Sequence, residues 1–398
     1  MKPSLAIVGA SARAAAASAL RAGFQPVTAD LFADLDLRAI ATATRISPYP
    51  EGLVDWLRTI EPPGWMYTGA LENHPELVDQ MAWVAPLWGN PGDVLARVRS
   101  PSQLADVLRD AGLLFPETRS SADGLPQDGS WLVKTYRGAS GSGVRPWSEE
   151  RGARNEKDEA SLAAPGPTLP ACYQRLVPGQ SCAAAFVAAG GAATLLGITR
   201  QLIGEPWLGA HGFQYAGSIG PQPVSNVIRN TLQHIGKTIA ERFELTGLFG
   251  VDFILSEEQV WTLEVNPRYT ASVEIIERAT GIRALAAHAD ACRGFPIKPS
   301  NQSEIQNPKS KIASAFHGKA ILFARRDLTI PDMFASLSLA EASRQPWPTL
   351  ADISPAGTPI GAGRPILTVF AAGRNNEEVE SHLRERVATL EDQLYAVL

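Results

Sequence analysis

The segment from Leu248 to Arg268 reads LFGVDFILSEEQVWTLEVNPR and predicts a β-hairpin. Two stretches of β-forming residues flank a short acidic turn. Apolar residues alternate along both predicted strands, which indicates one face packed on a core: Val251, Phe253 and Leu255, then Trp261, Leu263 and Val265. The opposite face contains acids and an amide, so this hairpin differs from a purely structural one.

The polar face of the hairpin brings three oxygen-bearing side chains together. A three-residue loop at 257–259 places Asp252 directly opposite Glu264, with Asn266 two residues further along on the same side. Such oxygen ligands suit an Mg²⁺ ion that bridges nucleotide phosphates. The alternative is an ordinary amphipathic hairpin with a solvated polar face.

The end of the hairpin adds a cation. Pro267 ends the second strand because it removes a backbone donor, and Arg268 follows at once. A guanidinium at this position is placed to bind an anion.

The composition describes a globular chain with several domains. The 398 residues are 45% hydrophobic and 19% charged, with a formal net charge of −5. A chain of this length predicts about two to four domains. This charge balance gives no attraction to nucleic acid or to an anionic membrane. The sequence has no run of 18 apolar residues, so it predicts no membrane span.

The N-terminal residues predict a strand, and the cysteines favour a reducing compartment. The apolar run from Leu5 to Val8 is too short for a signal peptide. Cys172, Cys182 and Cys292 form no CxxC motif and no even framework. We therefore expect a cytoplasmic protein in which the cysteines act as small apolar residues.

The first thirty residues predict half of a doubly wound α/β domain. A strand at residues 5–8 leads into a turn at Gly9 and Ser11, a helix to about Ala22, and a second strand at 27–30. The dinucleotide fingerprint is incomplete, because no further glycines follow Gly9 at the expected positions. Gly9 and Ser11 are candidate substrate contacts, and a plain α/β turn is the alternative.

A further strand at 65–69 ends in a loop with three candidate substrate residues: Gly69, Glu72 and Asn73. Ligands bind at the carboxyl ends of strands in open α/β sheets. Capping of the helix that begins after Pro75 is the alternative role for Glu72 and Asn73.

A lysine precedes a glycine-rich loop in the segment that begins at Lys134. Backbone N–H groups and hydroxyls of such a loop can bind phosphate, and a fixed ammonium on the preceding strand can reach phosphate oxygens. The candidate nucleotide-binding residues are Lys134, Gly138, Ser140, Gly141, Ser142 and Gly143. An ordinary glycine-rich hairpin is the alternative, since the order differs from a P-loop.

Between these two motifs, residues 171–180 predict a strand and turn that join two lobes. Gln174 and the backbone of Arg175, Leu176 and Val177 are candidates for binding an adenine edge, and an ordinary strand is the alternative.

The remaining segments predict a helix at about 102–111, an insertion at about 149–170, a linker at about 298–311 and a C-terminal region rich in β-structure. Its last helix predicts one buried face, formed by Val379, Leu383, Val387, Leu390, Leu394 and Val397.

The order of these motifs resembles the ATP-grasp superfamily of carboxylate–amine ligases and carboxylases. The resemblance implies an α/β (α+β) protein with an N-terminal Rossmann-like domain at 1–100 and a two-lobed ATP-grasp domain at 101–297, with lobes at about 101–171 and 172–297. A small β-rich domain with a final helix is expected at 312–398.

The resemblance also implies residue roles. Lys134 binds phosphate, Gly141 and Gly143 belong to a flexible lid loop, and Gln174 with Leu176 forms the adenine hinge. The implied Mg²⁺ ligands, with Mn²⁺ as a substitute, are Asp252, Glu264 and Asn266, while Arg268 is catalytic and steadies an acylphosphate.

One position departs from the superfamily pattern. Many members place a phosphate-binding lysine where this chain has Pro101, and Arg99 is the candidate replacement. The geometry of a guanidinium differs from that of an ammonium. Asp252 also stands where some relatives have Glu, so the number of metal ions stays open.

The activity implied by the resemblance is ATP-dependent amide formation between small-molecule carboxylate and amine substrates, without nucleic acid or membrane. A homodimer is among the expected assemblies. A weaker likeness to tyramine–glutamate ligase and tetrahydromethanopterin-associated proteins suggests a role in C1-cofactor biosynthesis. The alternatives are a biotin-carboxylase-like carboxylase and a non-catalytic nucleotide-binding regulatory protein.

Overall fold

The computed structural model describes residues 2–136, 138, 140–148, 171–295, 315–344 and 347–395. The predicted insertion at 149–170, the linker at 298–311 and Val397 lie outside the described residues.

The N-terminal part has a parallel sheet with helices packed against it, which confirms the predicted α/β beginning. Its four described strands follow the order β3-β2-β1-β4. The elements are β1 (Ser4–Val8), α1 (Arg13–Arg21), β2 (Gln25–Asp30), α2 (Leu35–Ile40), β3 (Thr42–Arg45), α3 (Leu53–Ile60), β4 (Trp65–Tyr67), α4 (Pro75–Ala82) and α5 (Gly92–Val98). A short 3₁₀ turn, Leu71–Asn73, follows β4 and contains two of the candidate substrate residues.

A small antiparallel sheet forms the next lobe. Helix α6 (Pro101–Asp110) leads into it, and its described strands follow the order β5-β8-β6-β7. The strands are β5 (Thr118–Arg119), β6 (Asp128–Thr135), β7 (Val144–Ser148) and β8 (Ala171–Arg175). Because β6 pairs with β8, Lys134 and Gln174 lie on neighbouring strands.

A large sheet forms the centre of the molecule and has eight strands within the described residues, in the order β13-β12-β9-β10-β11-β14-β18-β16. Its first five strands in the chain are β9 (Gln180–Ala189), β10 (Ala192–Ile203), β11 (Tyr215–Gly220), β12 (Gly247–Ser256) and β13 (Gln259–Asn266). The helices packed near them are α7 (Asn226–Phe243), α8 (Ala271–Thr280) and α9 (Ala284–Cys292).

Strand β9 explains how the sheet is covered on both faces. Ala184 and Phe186 pack in the cluster that contains α7, whereas Ala185 and Val187 pack in the cluster that contains α8 and α9. Alternation with a period of two produces this division. Gly236 on α7 allows the helix to approach, since a Cβ there would lie 2.4 Å from the Phe186 ring.

The C-terminal segment continues the large sheet, because β14 pairs with β11 and then with β18. Its elements are β14 (Phe316–Phe323), β15 (Leu328–Thr329), α10 (Asp332–Ala342), β16 (Leu350–Ala351), β17 (Pro359–Ile360), β18 (Pro365–Gly373) and α11 (Asn376–Tyr395). The apolar face of the last helix is buried as predicted at Val379, Leu383, Val387, Leu390 and Leu394.

The hairpin formed by β12 and β13 corrects two details of the sequence prediction. The predicted loop at 257–259 is wrong, because Ser256 pairs with Gln259 and the turn has two residues, both with positive φ. An irregularity between Asp252 and Phe253 restores the pairing of Asp252 with Glu264.

The same irregularity changes which side chains of β13 face the core. Val260 and Thr262 are buried there, whereas Trp261 and Leu263, which the sequence placed in the core, are partly exposed. The predicted core face is therefore wrong for these two residues and correct for Val265.

None of the helices in the described part of the chain is both long and apolar enough to cross a membrane.

Candidate functional site

The hairpin places the three predicted metal ligands in one patch. The Nδ2 atom of Asn266 donates to Asp252 Oδ2 at 2.9 Å and to Glu264 Oε1 at 3.3 Å. The Oδ1 atom of Asn266 points the other way and accepts from Arg268 at 3.1 Å. The two carboxylates therefore share one amide donor, and Arg268 fixes the orientation of that amide.

The two carboxylates have opposite electrostatic environments. Loss of solvent and the nearby Glu264 charge raise the pKa of Asp252 to about 8. Loss of solvent would also raise the pKa of Glu264, but Lys134, Arg99 and its hydrogen bonds hold that pKa below its ordinary value. The pair thus favours a protonated Asp252 beside an ionised Glu264.

The site fits a divalent cation by the chemistry of its donors. Among the described residues, no cluster of three or more His, Cys, Asp or Glu side chains could hold a metal ion. The donor set is two carboxylates and one amide, and Asn266 Oδ1 joins the oxygen ligands when the amide rotates and gives up its bond from Arg268. Hard oxygen ligands of this kind suit Mg²⁺ and also Mn²⁺.

Gln201 is a member of the site that the sequence did not reveal. Its Nε2 donates to Asp252 Oδ1 at 2.9 Å. Gln201 lies on β10, and β9 runs between β10 and the hairpin, with the small Ala183 opposite Asp252. The sequence could have indicated Gln201 only if the order of the strands had been known, because it lies 51 positions from Asp252 and meets it only across the folded sheet.

Arg268 joins the hairpin to the N-terminal domain. Its guanidinium lies 2.7 Å from Glu72 Oε1, and Nε donates to the same oxygen. Glu72 Oε2 is buried and has no hydrogen-bond partner among the described residues. Gly69 packs against this guanidinium, since a Cβ on Gly69 would lie 3.5 Å from Arg268 Cζ.

Arg99 lies at the same junction. Its Nη2 donates to Asn73 Oδ1 at 2.9 Å, and Nη1 lies 3.9 Å from Glu72 Oε1. It is also one of the charges that hold the pKa of Glu264 down. Helix α4 has His74 as its N-cap residue without a side-chain capping bond there, while Glu72 and Asn73 contact Arg268 and Arg99.

The lobe containing β6 and β8 supplies Lys134. Its Nζ donates to Gln174 Oε1 at 3.1 Å, and Gln174 Nε2 donates to Thr118 Oγ1 at 3.1 Å. A cavity of about 70 Å³ separates this lobe from the hairpin. Its lining includes Arg99, Lys134, Gly138, Gln174 and Glu264.

The glycine-rich loop lies against the segment before β11. Ser140 O accepts from the Tyr215 N–H at 3.0 Å. Gly141 has φ +78°, and a Cβ there would lie 1.9 Å from Phe213 O. Gly138 and Gly143 approach the Thr135 hydroxyl, at 3.0 and 1.9 Å from an added Cβ, and Ser142 belongs to the same turn.

Two backbone N–H groups of the predicted adenine hinge form hydrogen bonds within the protein. The N–H of Arg175 donates to Glu117 O at 2.8 Å, and the N–H of Leu176 donates to Ser130 O at 2.9 Å. Leu176 is exposed, and Val177 is partly exposed.

The first turn of the N-terminal domain packs beside the loop that follows β4. A Cβ on Gly9 would lie 2.1 Å from Thr68 Oγ1, and that hydroxyl donates to Ser11 O at 2.8 Å. Ala10 N donates to Gly69 O at 3.0 Å. Gly9 therefore permits close packing, and the turn contacts the Gly69 loop, which in turn contacts Arg268.

Comparison with curated proteins finds partial sequence relatives. The chain is 32% identical over 90 residues to the carbamoyl phosphate synthase large chain of Neisseria gonorrhoeae, covering 23% of this chain and 8% of the relative. It is 30% identical over 123 residues to the formate-dependent phosphoribosylglycinamide formyltransferase of Stenotrophomonas maltophilia, covering 30% of each protein. The match thus spans less than a third of either relative.

Solved structures resemble nearly the whole chain at low identity. One is the N5-carboxyaminoimidazole ribonucleotide synthetase of Thermus thermophilus, with TM-score 0.65, 14% identity and 98% of each chain covered. Another is the L-amino acid ligase of Bacillus licheniformis, with TM-score 0.65, 17% identity and 98% of each chain covered. A third is the biotin carboxylase domain of Hydrogenobacter thermophilus 2-oxoglutarate carboxylase with MgADP and bicarbonate, with TM-score 0.64, 14% identity and coverage of 94% and 87%.

These likenesses show that the chain shares the fold of these solved structures. The family described as the ATP-grasp domain matches residues 101–272 of the chain. Residues 101–272 therefore match an ATP-grasp domain, in agreement with the predicted superfamily, and the predicted fold class is confirmed.

Proposed function

We propose that the protein is an ATP- and Mg²⁺-dependent carboxylate–amine ligase that forms an amide through an acylphosphate. One observation supports this proposal most directly. Asp252, Glu264 and Arg268 meet around Asn266, and Arg99 and Lys134 line a cavity with Glu264 and hold its pKa down. Two acids facing several cations suit a phosphoryl group with its metal ion.

The chain's own residues would position the donor. Lys134 and the loop at 138–143 would hold the phosphates, and Asp252, Glu264 and Asn266 would hold Mg²⁺. When bound, the ion supplies positive charge that offsets charge building on the transferred phosphoryl group. Loop closure would exclude water from the reacting groups.

In the first step, an oxygen of the substrate carboxylate attacks the γ-phosphorus and ADP leaves. In the second, the amine nitrogen attacks the acyl carbon, inorganic phosphate leaves, and the nitrogen loses a proton. Arg268 is placed beside both Asn266 and the loop of Gly69, so it can neutralise the acylphosphate and the developing oxyanion. Such a contact contributes about 2.7–4 kcal/mol in comparable sites.

A carboxylase is the second candidate, because one similar structure is a biotin carboxylase domain with MgADP and bicarbonate. In that case bicarbonate would take the place of the substrate carboxylate. The C1-cofactor role, the homodimer and the cytoplasmic location stay predictions from the sequence.

ADP release tests the proposal. Purified protein is incubated with ATP and Mg²⁺ across a panel of carboxylic acids, amines and bicarbonate. Release that requires one acid and one amine supports the ligase. Release that requires bicarbonate supports the carboxylase, while ATP binding without release under any condition supports a regulatory protein.

A further inference from the structure

We propose that Gln174 is a positioning residue that fixes Lys134 for the nucleotide phosphates, and that its side chain does not read the adenine base. The inference rests on the proposed nucleotide site and adds a role for a residue that the superfamily resemblance assigned to the adenine hinge.

A directional chain of hydrogen bonds sets the orientation of the Gln174 amide. The Thr118 hydroxyl donates its proton to Pro116 O at 3.0 Å. A hydroxyl has one proton, so the Thr118 oxygen can only accept from Gln174. The amide nitrogen must therefore face Thr118 at 3.1 Å, which leaves the amide oxygen for Lys134 Nζ, also at 3.1 Å.

Strand pairing holds this series of hydrogen bonds in place. Thr118 pairs with Gln174 between β5 and β8, and Leu132 pairs with Gln174 between β8 and β6. Gln174 is only 3% exposed, so water does not compete for its amide. Each end of the amide makes one bond, and burial of Gln174 leaves a base little access to its second N–H and second lone pair.

The neutral amide has a particular consequence for Lys134. A glutamate at this position would also fix the ammonium but would cancel its charge. Gln174 holds the ammonium while leaving its full charge for an anionic ligand, and the same charge depresses the pKa of Glu264 across the cavity.

The test measures binding of adenosine, ADP and ATP by calorimetry with Mg²⁺ in the full chain, for the parent and for Gln174→Leu. Losing a hydrogen bond to a charged group should weaken ATP binding about 10-fold to 100-fold and leave adenosine binding unchanged. The loss should disappear when Lys134→Met is already present. Selectivity for ATP over ITP should not change.

Equal weakening for adenosine and ATP would overturn the proposal, as would reduced selectivity for ATP over ITP. A full effect of Gln174→Leu in the Lys134→Met background would also overturn it, and so would a parent chain that does not bind ATP. Thr118→Val serves if Gln174→Leu fails to fold, because it releases one end of the amide. It should give a smaller loss with the same dependence on phosphate. Parent protein that binds ATP yet releases no ADP with any substrate would reject the proposed ligase activity and leave this test valid.

Discussion

Replacing Asp252 by Asn should stabilise the metal-free protein while abolishing most of its activity. The pKa of Asp252 is raised to about 8 by loss of solvent and by Glu264. The folded protein therefore holds a proton that the unfolded chain has released above pH 4. Stability is lost as the pH rises from about 4 to about 8. An asparagine has no proton to release, but its amide nitrogen replaces an oxygen that accepts from Asn266 or Gln201, which reduces the gain.

The magnitude follows from the width of this window. The unfolded chain has a pKa of 3.8 at this carboxyl, and pH 7 lies about three pH units above that value but below the pKa of the folded protein. The loss of folding free energy at pH 7 therefore has an upper limit of about 4 kcal/mol. Asp252 is partly exposed at the cleft wall, so solvent reduces this value. We expect a gain of about 1–3 kcal/mol at pH 7 to 9 and almost none at pH 4.

Urea unfolding with a chelator, at pH 4, 7 and 9, measures this gain directly. Asp392→Asn is the matched control, because Asp392 is exposed on α11, and its stability should follow the parent at every pH. Mg²⁺-dependent ADP release should fall about 100-fold or more in Asp252→Asn. A variant that is less stable than the parent at pH 8, or that gains equally at pH 4, would refute the electrostatic account of the site.

Three further predictions concern neighbouring parts of the molecule. Gln201→Leu should weaken Mn²⁺ binding about 10-fold to 100-fold, because Asp252 loses the donor that orients it. Electron paramagnetic resonance measures this affinity, and an unchanged value would contradict the prediction. Gly141→Ala should raise the KM for ATP about tenfold, since its φ is +78° and its Cβ would meet a backbone oxygen, whereas Gly124→Ala, with φ +72° and open space, should not. Burial lowers the pKa of His288 to about 4, so the unfolded chain alone gains a proton between pH 6.5 and 4 and stability should fall by about 3 kcal/mol across that range; His288→Gln should flatten this slope in urea titrations.

Local sequence patterns predicted the elements of the fold well. Strand β1 was expected at 5–8 and occurs at Ser4–Val8, and the helix expected at about 102–111 is Pro101–Asp110. These elements follow from short apolar runs, a serine cap and a proline at the first turn, all of which act over a few residues. Such signals are present in the sequence itself.

The hairpin was predicted correctly at the pairing of Asp252 with Glu264 and wrongly at its turn. Pairing of Asp252 with Glu264 was expected, but the expected loop was one residue too long. Two errors cancelled, because the irregularity beside Phe253 offsets the shorter turn. Sequence patterns give the period of a strand, while a bulge depends on packing against neighbours that the pattern does not show.

Contacts between distant elements were beyond the sequence. Gln201 reaches Asp252 across β9, and Glu72 meets Arg268 although 196 residues separate them. The motif order placed Asp252, Glu72 and Arg268 near a site, but only the order of strands brings their atoms and those of Gln201 together. His288 accepts a hydrogen bond from the Leu248 N–H and lies buried behind the sheet.

The pairing of β14 with β11 has a consequence for synthesis of the chain. Strand β11 contacts the glycine-rich loop through the Tyr215 N–H, yet its outer partner lies almost a hundred residues later, at Phe316–Phe323. Until those residues leave the ribosome, the nascent sheet exposes the unpaired edge of β11 together with side chains that are buried in the folded protein. The sheet edge thus becomes covered only late in synthesis, so premature termination should yield insoluble fragments.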